Sequence, residues 1–346
     1  MELDARKEQI LQAIIQDYIT SAEPVGSKTL VRKYDLHVSA ATIRKEMSEL
    51  ESLGYLQQPH TSAGRVPSLK GYRFYVDCLL QPTKISDEEK TFVENWFRHK
   101  VDSVDQMFQS TAKLLAKITH NVTLVLAAEA VHAKLKYIRF LPLDAQRAIM
   151  LVVADNGQVE HSLYKKPAGV DLDDLNAVAQ KLTNYLSGLP MDRIDEKVIN
   201  AFHGNIVDDA QLYRQAFQAI GQAFRKKQQL YRGGTLELLH KPEFRDVDKA
   251  QSLFRLLDEQ DVVASILEDA GEDKPVTVRI GKEARLSPID DCSIIEATFS
   301  DHEVVLGKLA VLGPARMEYA KIIGLLDFMK QHVTHMLAQY HEKTRQ

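Results

Sequence analysis

Apolar positions in the first eighty residues recur at helical spacing in three consecutive stretches, which predicts three short helices. The first helix should end near Ser21, before Pro24. The third should run from Ala40 to about Leu53, with Ser39 as its N-cap and Gly54 as its left-handed C′ residue.

A hairpin is predicted directly after the third helix. Tyr55–Pro59 and Arg65–Pro67 have the composition of two short strands, and His60–Gly64 forms the turn between them. A hairpin placed after a helix of the recognition type is the wing of a winged helix. Residues 1–80 are therefore predicted to form a winged helix-turn-helix domain that binds DNA.

The outward face of the third helix follows from a rotation of 100° per residue, with Ile43 taken as buried. This face carries small, short polar and basic side chains. Methyl groups of such residues can contact a thymine methyl, while Lys and Arg reach guanine edges or phosphates. The predicted base-edge readers are Ala41, Thr42 and Lys45, with Arg44 and Ser48 at the margins.

Other residues of this domain are expected to hold the DNA backbone. Ser39 can cap the third helix while the first turn of that helix presents backbone N–H groups to a phosphate. The predicted contacts to the backbone or the flanking minor groove are Lys28, His60, Thr61, Ser62 and Arg65.

Net charge changes this interpretation only when it is counted locally. The chain has 44 basic and 48 acidic residues, a formal charge of −4, which argues against a polybasic coat for DNA. From Gly26 to Arg73, however, eight basic and four acidic residues give a local charge of +4. A surface that faces phosphates is therefore reasonable in this segment.

The remainder of the chain is predicted to be α+β. A linker at Gln81–Lys84 precedes a stretch, Ser86–Thr119, whose periodicity is helical. Predicted strands are Val122–Ala127, Tyr137–Leu141, Ala148–Val153, Gln158–Tyr164, Thr235–His240, Val276–Ile280, Ser293–Ser300 and Val304–Leu312. Predicted helices are Ser68–Leu80, Asp171–Leu189, about Met191–Phe202, Ala210–Gln228, two or more within Asp246–Ala270, and Glu318–Tyr340.

Catalytic and metal chemistry find little support. The phosphate-binding, dinucleotide-binding, nucleophile-elbow and zinc-protease motifs are all absent, so we expect neither an enzyme nor a cofactor. Cys78 and Cys292 lie too far apart in sequence to indicate a zinc site. His332 and His335 could face one metal with His341 nearby, but a solvated pair is the expectation.

Membrane insertion and secretion are not expected. The longest apolar runs are far shorter than the roughly 20 residues of a membrane span. The first residues lack the apolar run of a secretory signal, and cysteines are sparse, as is usual in a reducing compartment. These features predict a cytoplasmic protein.

Several motifs of the first eighty residues resemble the HrcA family, bacterial repressors of heat-shock chaperone operons. The resembling segments are Pro24–Leu30, Ser39–Arg44, Gly54–Leu56, His60–Pro67 and Gly71–Arg73. The resemblance implies a multidomain α+β chain: the winged helix-turn-helix, then a GAF-like α/β domain in two parts, residues 85–135 and 230–346, interrupted by an inserted α+β dimerisation domain at residues 136–229.

The resemblance also implies a function. A homodimer would bind an inverted-repeat operator of the CIRCE type in double-stranded DNA and would be released on heat stress. The GroEL chaperonin would keep the repressor competent, and operator DNA would associate the protein with the nucleoid.

Two other functional classes stay open at this point. One is a metabolite-responsive winged-helix repressor whose GAF-like domain holds an effector in a pocket between its sheet and helices. The other is a non-catalytic interaction protein that uses the basic helix to bind a protein partner.

Overall fold

The computed structural model describes residues 3–60, 64–98, 103–128, 134–155, 159–167, 169–189, 194, 228–268, 275–286, 290–301 and 304–344. The chain is mixed α/β, with helices and antiparallel sheets. Contacts divide it into two compact units. The first comprises Met1–Ala127 with Leu230–His341, and the second comprises Ala128–Gln229 with Glu342–Gln346.

The N-terminal part of the first unit contains the helices α1 (Ala5–Ser21), α2 (Ser27–Lys33) and α3 (Ala40–Ser52). A short antiparallel ribbon of β1 (Leu56–Gln57) and β2 (Val66–Pro67) follows, as the sequence predicted. The core of these helices consists of apolar side chains with no measurable exposure, among them Ile10, Leu11, Ile14, Leu30, Ile43 and Leu50.

Local signals determine where α3 begins and ends. The side chain of Ser39 accepts a hydrogen bond from the backbone N–H of Thr42, which satisfies one of the orphan donors of the first turn. Gly54 has φ +80°, the left-handed conformation predicted for the residue after the helix. Both ends of α3 were therefore predicted correctly from local sequence.

The two helical stretches predicted after the ribbon each divide into two elements. The stretch predicted as one helix, Ser68–Leu80, divides into α4 (Leu69–Phe74) and a π-helical turn, Tyr75–Leu79. The stretch Ser86–Thr119, predicted to be helical, forms two helices, α5 (Asp87–Phe97) and α6 (Val104–Thr119). Ser103 accepts from the backbone N–H of Gln106 and so begins α6 as a new helix.

The body of the first unit is built on a sheet that has five strands among the described residues, in the order β7–β3–β10–β9–β8. The strands are β3 (Val122–Ala128), β7 (Gln228–Gly233), β8 (Val276–Ile280), β9 (Cys292–Asp301) and β10 (Val304–Pro314). The pairs β3–β10, β10–β9 and β9–β8 are antiparallel.

Helices pack on both faces of this sheet. Helices α8 (Val247–Asp258) and α9 (Gln260–Glu268) cover one face and enclose an apolar core with it. On the other face, Phe299 of β9 packs against Phe108 of α6, with ring centroids 5.9 Å apart. The last helix is α10 (Tyr319–Thr344), and the Tyr319 hydroxyl donates a hydrogen bond to Ser293 Oγ of β9 at 3.0 Å.

The strand predicted at Thr235–His240 is wrong. Gly234 has φ +70° and ends β7, and the next six residues form a 3₁₀ helix. Its leucines follow no alternation, since Leu238 is buried whereas Leu236 is 70% and Leu239 is 50% exposed. A second 3₁₀ turn, Pro242–Phe244, leads into α8.

The second unit contains the antiparallel sheet β4–β5–β6, formed by Leu135–Pro142, Arg147–Ala154 and Val159–Lys165. Helix α7 (Leu172–Leu186) covers one face and buries Ile138, Phe140, Met150 and Val152 beneath it. The three predicted strands are confirmed. The helices predicted at Met191–Phe202 and Ala210–Gln228 lie outside the described residues, apart from residues 194 and 228, and residue 228 belongs to β7.

Candidate nucleic-acid interface

One face of α3 is exposed and carries most of the predicted base readers. Ile43, Met47 and Leu50 anchor the opposite face in the core. The exposed residues are Ala41, Arg44, Lys45 and Ser48. The Lys45 side chain is 78% exposed, and its ammonium lies 3.9 Å from Glu49, so it can leave that carboxylate at little cost.

Thr42 differs from the other predicted readers because its hydroxyl is engaged. The Oγ1 atom lies 3.0 Å from Oγ of Ser39, and the Thr42 N–H donates to the same Ser39 oxygen at 3.1 Å. Both hydroxyls therefore belong to the N-cap of α3. This leaves the methyl group of Thr42 as the part that can contact a thymine methyl.

Helix α3 also carries three carboxylates, and α1 neutralises two of them. Lys7 Nζ lies 2.9 Å from Glu46 and 3.0 Å from Glu49, and Arg6 lies 3.8 Å from Glu46. Hydrogen bonds to Asp4, Glu46 and Glu49 raise the pKa of Lys7 above its ordinary value, so the ammonium stays charged. Two of the three carboxylates of α3 are thereby paired with cations of α1.

The third carboxylate, Glu51, pairs with the wing. Arg65 Nε donates to Glu51 Oε2 at 2.8 Å, and the Arg65 side chain is only 16% exposed. The backbone of Arg65 exchanges two 2.9 Å hydrogen bonds with Val25, which extends the ribbon toward α2. A Cβ on the neighbouring Gly64 would lie 2.4 Å from the Val25 carbonyl oxygen, so this close approach requires glycine.

Arg65 therefore has a structural partner that the sequence analysis did not foresee. Its guanidinium joins the wing to the end of α3, and a phosphate would have to share it with Glu51. Contact between Arg65 and DNA stays a prediction.

Other cations of the +4 segment divide in the same way into engaged and exposed groups. Lys33 lies 2.5 Å from Asp17, and Lys70 donates to the Leu53 carbonyl at 2.8 Å while its ammonium lies 4.4 Å from the centroid of the Tyr55 ring. Lys28, Arg32 and Arg44 of the same segment are exposed, and none of the three has an acidic group within 4.0 Å among the residues that the structure describes.

The predicted residues of the wing are only partly described. His60 is exposed where the ribbon leaves β1. Thr61 and Ser62, predicted to contact the backbone or the minor groove, lie outside the described residues.

Sequence reasoning missed the role of Arg6 and Lys7. They precede the first apolar position of α1, and an N-terminal cation pair has no pattern of its own. The available clue was indirect: three carboxylates on a helix expected to contact DNA require cationic partners elsewhere. Only the packing of α1 against α3 identifies those partners.

The expectation of two solvated histidines on the last helix is wrong for His332. Its ring stacks on Phe328 with centroids 5.8 Å apart and lies 5.4 Å from Phe97, and burial lowers the pKa of the imidazole. His335 is exposed and lies 2.8 Å from Gln339. The side chain of His341 is outside the described part of the chain. The described residues contain no group of three or more potential metal ligands.

Comparison with known proteins places this chain in a family. The family model described as the HrcA protein C terminal domain matches residues 105–323. A heat-inducible transcription repressor HrcA from Symbiobacterium thermophilum is 39% identical over 96% of this chain and 98% of its own length. Its counterpart from Brevibacillus brevis is 37% identical over 99% and 100%. The chain belongs to the HrcA family.

Family membership confirms the resemblance seen in the N-terminal motifs. The curated HrcA relatives are named as heat-inducible transcription repressors, a non-enzymatic class. A crystal structure of a hypothetical protein shares the fold, with a TM-score of 0.62, 21% identity and coverage of 96% of this chain and 98% of that one. Among the described residues, no helix is long and apolar enough to cross a membrane.

Proposed function

We propose that this chain is a heat-inducible transcription repressor that binds double-stranded DNA through α3 and the β1–β2 wing. The observation that carries the proposal is the separation of charge on α3. Its carboxylates pair with α1 and with the wing, while Arg44 and Lys45 stay exposed beside the small residues Ala41 and Ser48. A helix of this kind can enter a major groove without bringing unpaired negative charge near the phosphates.

The roles of individual residues follow from their exposure. Ala41, the Thr42 methyl and Lys45 read base edges, with Arg44 and Ser48 beside them; each good bidentate pair contributes about 1–3 kcal/mol of discrimination. Ser39 caps the helix and leaves the first-turn N–H groups to a phosphate. The contacts proposed for the DNA backbone are Lys28, His60, Thr61 and Ser62, with Arg65 supporting the wing.

We propose that the repressor is a homodimer formed through the outer face of the β4–β5–β6 sheet, the face opposite α7. Cross-strand register aligns Tyr137, Val153 and Val159 in one row and Leu141, Ile149 and Leu163 in another. Val159 is 51% and Leu163 is 60% exposed. Between these two rows the register places Arg139, Leu151 and His161, so the face is apolar at its two ends and carries two polar side chains in its middle row. Exposed apolar side chains gathered on one sheet face indicate an interaction surface, and a two-fold dimer buries the same surface on both subunits.

Resemblance to the HrcA family supports the rest of the proposal. The operator would be a CIRCE-type inverted repeat, since protein and half-site symmetry correspond. The two parts of the first unit's body would be the GAF-like domain, and the second unit would be the dimerisation insert. The GroEL chaperonin would maintain the active fraction of a marginally stable repressor, and heat would lower that fraction. The protein would act in the cytoplasm, on nucleoid DNA.

Footprinting the full-length protein on its own upstream region tests the central proposal. We expect a protected inverted repeat and, in a gel-shift assay, saturable binding that resists non-specific competitor. The control DNA carries the same base composition with both half-sites scrambled. Equal binding to both DNAs would reject sequence-specific repression and would favour the protein-interaction alternative.

A cavity gives the effector-responsive alternative a specific location. The sheet and the helices α8 and α9 enclose an apolar core between them. A cavity of about 380 Å³ lies where α1, the π-helical turn, α5 and α10 meet. Its lining includes Gln16, Thr20, Tyr75, Glu89 and Lys321. A small molecule that raises the melting temperature and also changes operator affinity would support this alternative.

A further inference from the structure

Helix α1 ends without a basic residue of its own in the last turn. The last carbonyls of a helix lack intrahelical donors and lie at the negative end of the helix dipole. Arg316, in the segment between β10 and α10, supplies the missing cation: its NH1 donates to the carbonyl oxygen of Ile19 at 2.7 Å. The body of the first unit therefore caps a helix of the N-terminal domain.

The same guanidinium is fixed on the body side by a carboxylate. Arg316 Nε donates to Glu243 Oε1 at 2.8 Å, and NH2 donates to Glu243 Oε2 at 3.3 Å. The Arg316 side chain is 12% exposed. Two parallel bonds orient the plane of a guanidinium, which a lysine ammonium cannot reproduce. The third nitrogen is thereby held in place for the α1 carbonyl.

A second arginine makes a comparable connection from α4. Arg73 NH1 donates to the Val278 carbonyl of β8 at 2.8 Å and to Glu283 Oε2 at 2.9 Å. The neighbouring Tyr72 is 3% exposed, and its ring lies 6.1 Å from that of Tyr319 in α10. The N-terminal domain is therefore attached to the body at two separated points.

The segment predicted as a linker forms a third connection. Thr83 N–H donates to the Ala320 carbonyl of α10 at 3.1 Å. A Cβ at Gly324 would lie 1.9 Å from the Thr83 carbonyl oxygen, so the segment passes directly over the helix where only glycine fits. The segment is packed along its path and is not a slack tether.

We propose that Arg316 and Arg73 are positioning residues that hold the DNA-binding domain in one orientation on the body and so determine which half-site spacing the dimer accepts. This inference rests on the proposed function. In a symmetric dimer, the separation of the recognition helices must match half-sites a fixed number of helical turns apart. A loosely tethered domain would accept many spacings, whereas a clamped domain accepts few.

A measurement without DNA tests whether Arg316 and Arg73 hold the N-terminal domain in one orientation on the body. Spin labels are placed at Ser52→Cys on α3 and Gln251→Cys on α8, both exposed positions, in a Cys78→Ser background. The labelled chain is mixed with an excess of unlabelled chain to suppress distances between subunits. We expect a narrow distance distribution that broadens in Arg316→Gln and in Arg73→Gln. The control is Arg255→Gln, an exposed arginine of α8. A distance distribution that is unchanged in both variants would show that the two arginines do not position the N-terminal domain.

A second measurement tests its consequence for DNA. The footprinted operator is compared with versions whose spacer is longer by one to five base pairs; five base pairs turn one half-site by about half a helical turn. The wild type should discriminate sharply among them. In Arg316→Gln, and in Arg73→Gln if the first variant folds poorly, the penalty for the longest spacer should shrink by roughly tenfold. Arg316→Lys, which keeps the charge without the fork, should resemble Arg316→Gln.

The two measurements separate the ways in which the proposal could fail. Broadened distances together with the wild-type spacing preference would show that the clamp does not determine spacing. If the wild type binds no inverted repeat, the proposed function fails, and the distance measurement alone decides whether the two arginines position the domain.

Discussion

The exposed face of α3 and the outer face of the β4–β5–β6 sheet are both open to solvent, yet their chemistry is opposite. On α3 the apolar residues point into the core, and the exposed face consists of small and basic side chains. On the outer sheet face, tyrosine, valine and leucine are exposed in cross-strand rows. The first surface suits a charged, hydrated partner, and the second suits a partner that is itself apolar.

The two surfaces also differ in how much they depend on the side chains around them. The charged face of α3 depends on groups beneath and beside it, because its acidic neighbours are paired by Lys7 and Arg65. The sheet face needs no such arrangement, since exposing leucine requires only that nothing among the described residues covers it. Electrostatic surfaces are therefore sensitive to distant substitutions, whereas the apolar surface should respond only to changes made within it.

The largest effect is expected from a charge placed in the sheet face. Leu163→Glu should convert the dimer to a monomer, because the carboxylate would be buried against an apolar partner. Operator affinity should fall by roughly 100-fold or more, since the two half-sites would no longer be bound together. Sedimentation velocity and a gel-shift titration measure the two effects.

The matched control for this change is Lys181→Glu, an exposed position on α7 with an acidic substitution in the same unit. It should leave both the dimer and the operator affinity as they are. A Leu163→Glu protein that is dimeric at micromolar concentration would show that dimerisation uses another surface.

The next largest effect is expected on α3 itself. Lys45→Ala should lower operator affinity by about 1–3 kcal/mol while changing binding to scrambled DNA much less, because the side chain reads base edges. Binding titrations on operator and scrambled DNA give the ratio. Arg255→Ala, on the surface of the body, is the control for loss of one positive charge. An equal loss of affinity for operator and scrambled DNA would show that Lys45 contacts a phosphate and does not read a base edge.

A helix or strand can be predicted from sequence when residues close to it in the chain determine its conformation. The ends of α3 depend on Ser39 and Gly54, which act over a few residues, so they could be predicted. The strand predicted at Thr235–His240 failed because Gly234 adopts a left-handed conformation, which leucine-rich composition does not reveal.

Long-range pairs could not have been predicted from one sequence. Lys7 meets Glu46 across two helices, and Arg316 meets Ile19 almost the whole chain away. The exposed face of α3 agrees with the face derived from helical rotation, but the partners that neutralise its other side appear only after folding. Which residues touch DNA stays a prediction.

A smaller effect should come from Lys7→Ala. This substitution leaves the exposed face of α3 unchanged and removes the α1 cation that pairs with its carboxylates. Loss of the ammonium leaves Glu46 and Glu49 without their shared partner, and their negative charge would then act on the nearby phosphates. Operator affinity should fall by roughly fivefold, or about 1 kcal/mol, and more at low salt.

Rescue separates this electrostatic effect from a loss of folding. Lys7→Ala combined with Glu49→Gln removes one of the exposed charges and should recover much of the affinity, with the melting temperature measured in parallel. A loss of affinity that Glu49→Gln does not reduce would mean that Lys7 acts through the stability of the domain.

The smallest effect is expected from Lys28→Ala. Lys28 is exposed on α2 and has no acidic group within 4.0 Å among the described residues, so its ammonium is available to a phosphate. Its removal should weaken binding to operator and scrambled DNA alike and should flatten the slope of log affinity against log salt by about one.

Arg65→Ala is the informative comparison, because that guanidinium already pairs with Glu51. It should lower affinity through the wing, with little change in the salt slope. If Arg65→Ala flattened the slope as much as Lys28→Ala, Arg65 would have to exchange Glu51 for a phosphate on binding.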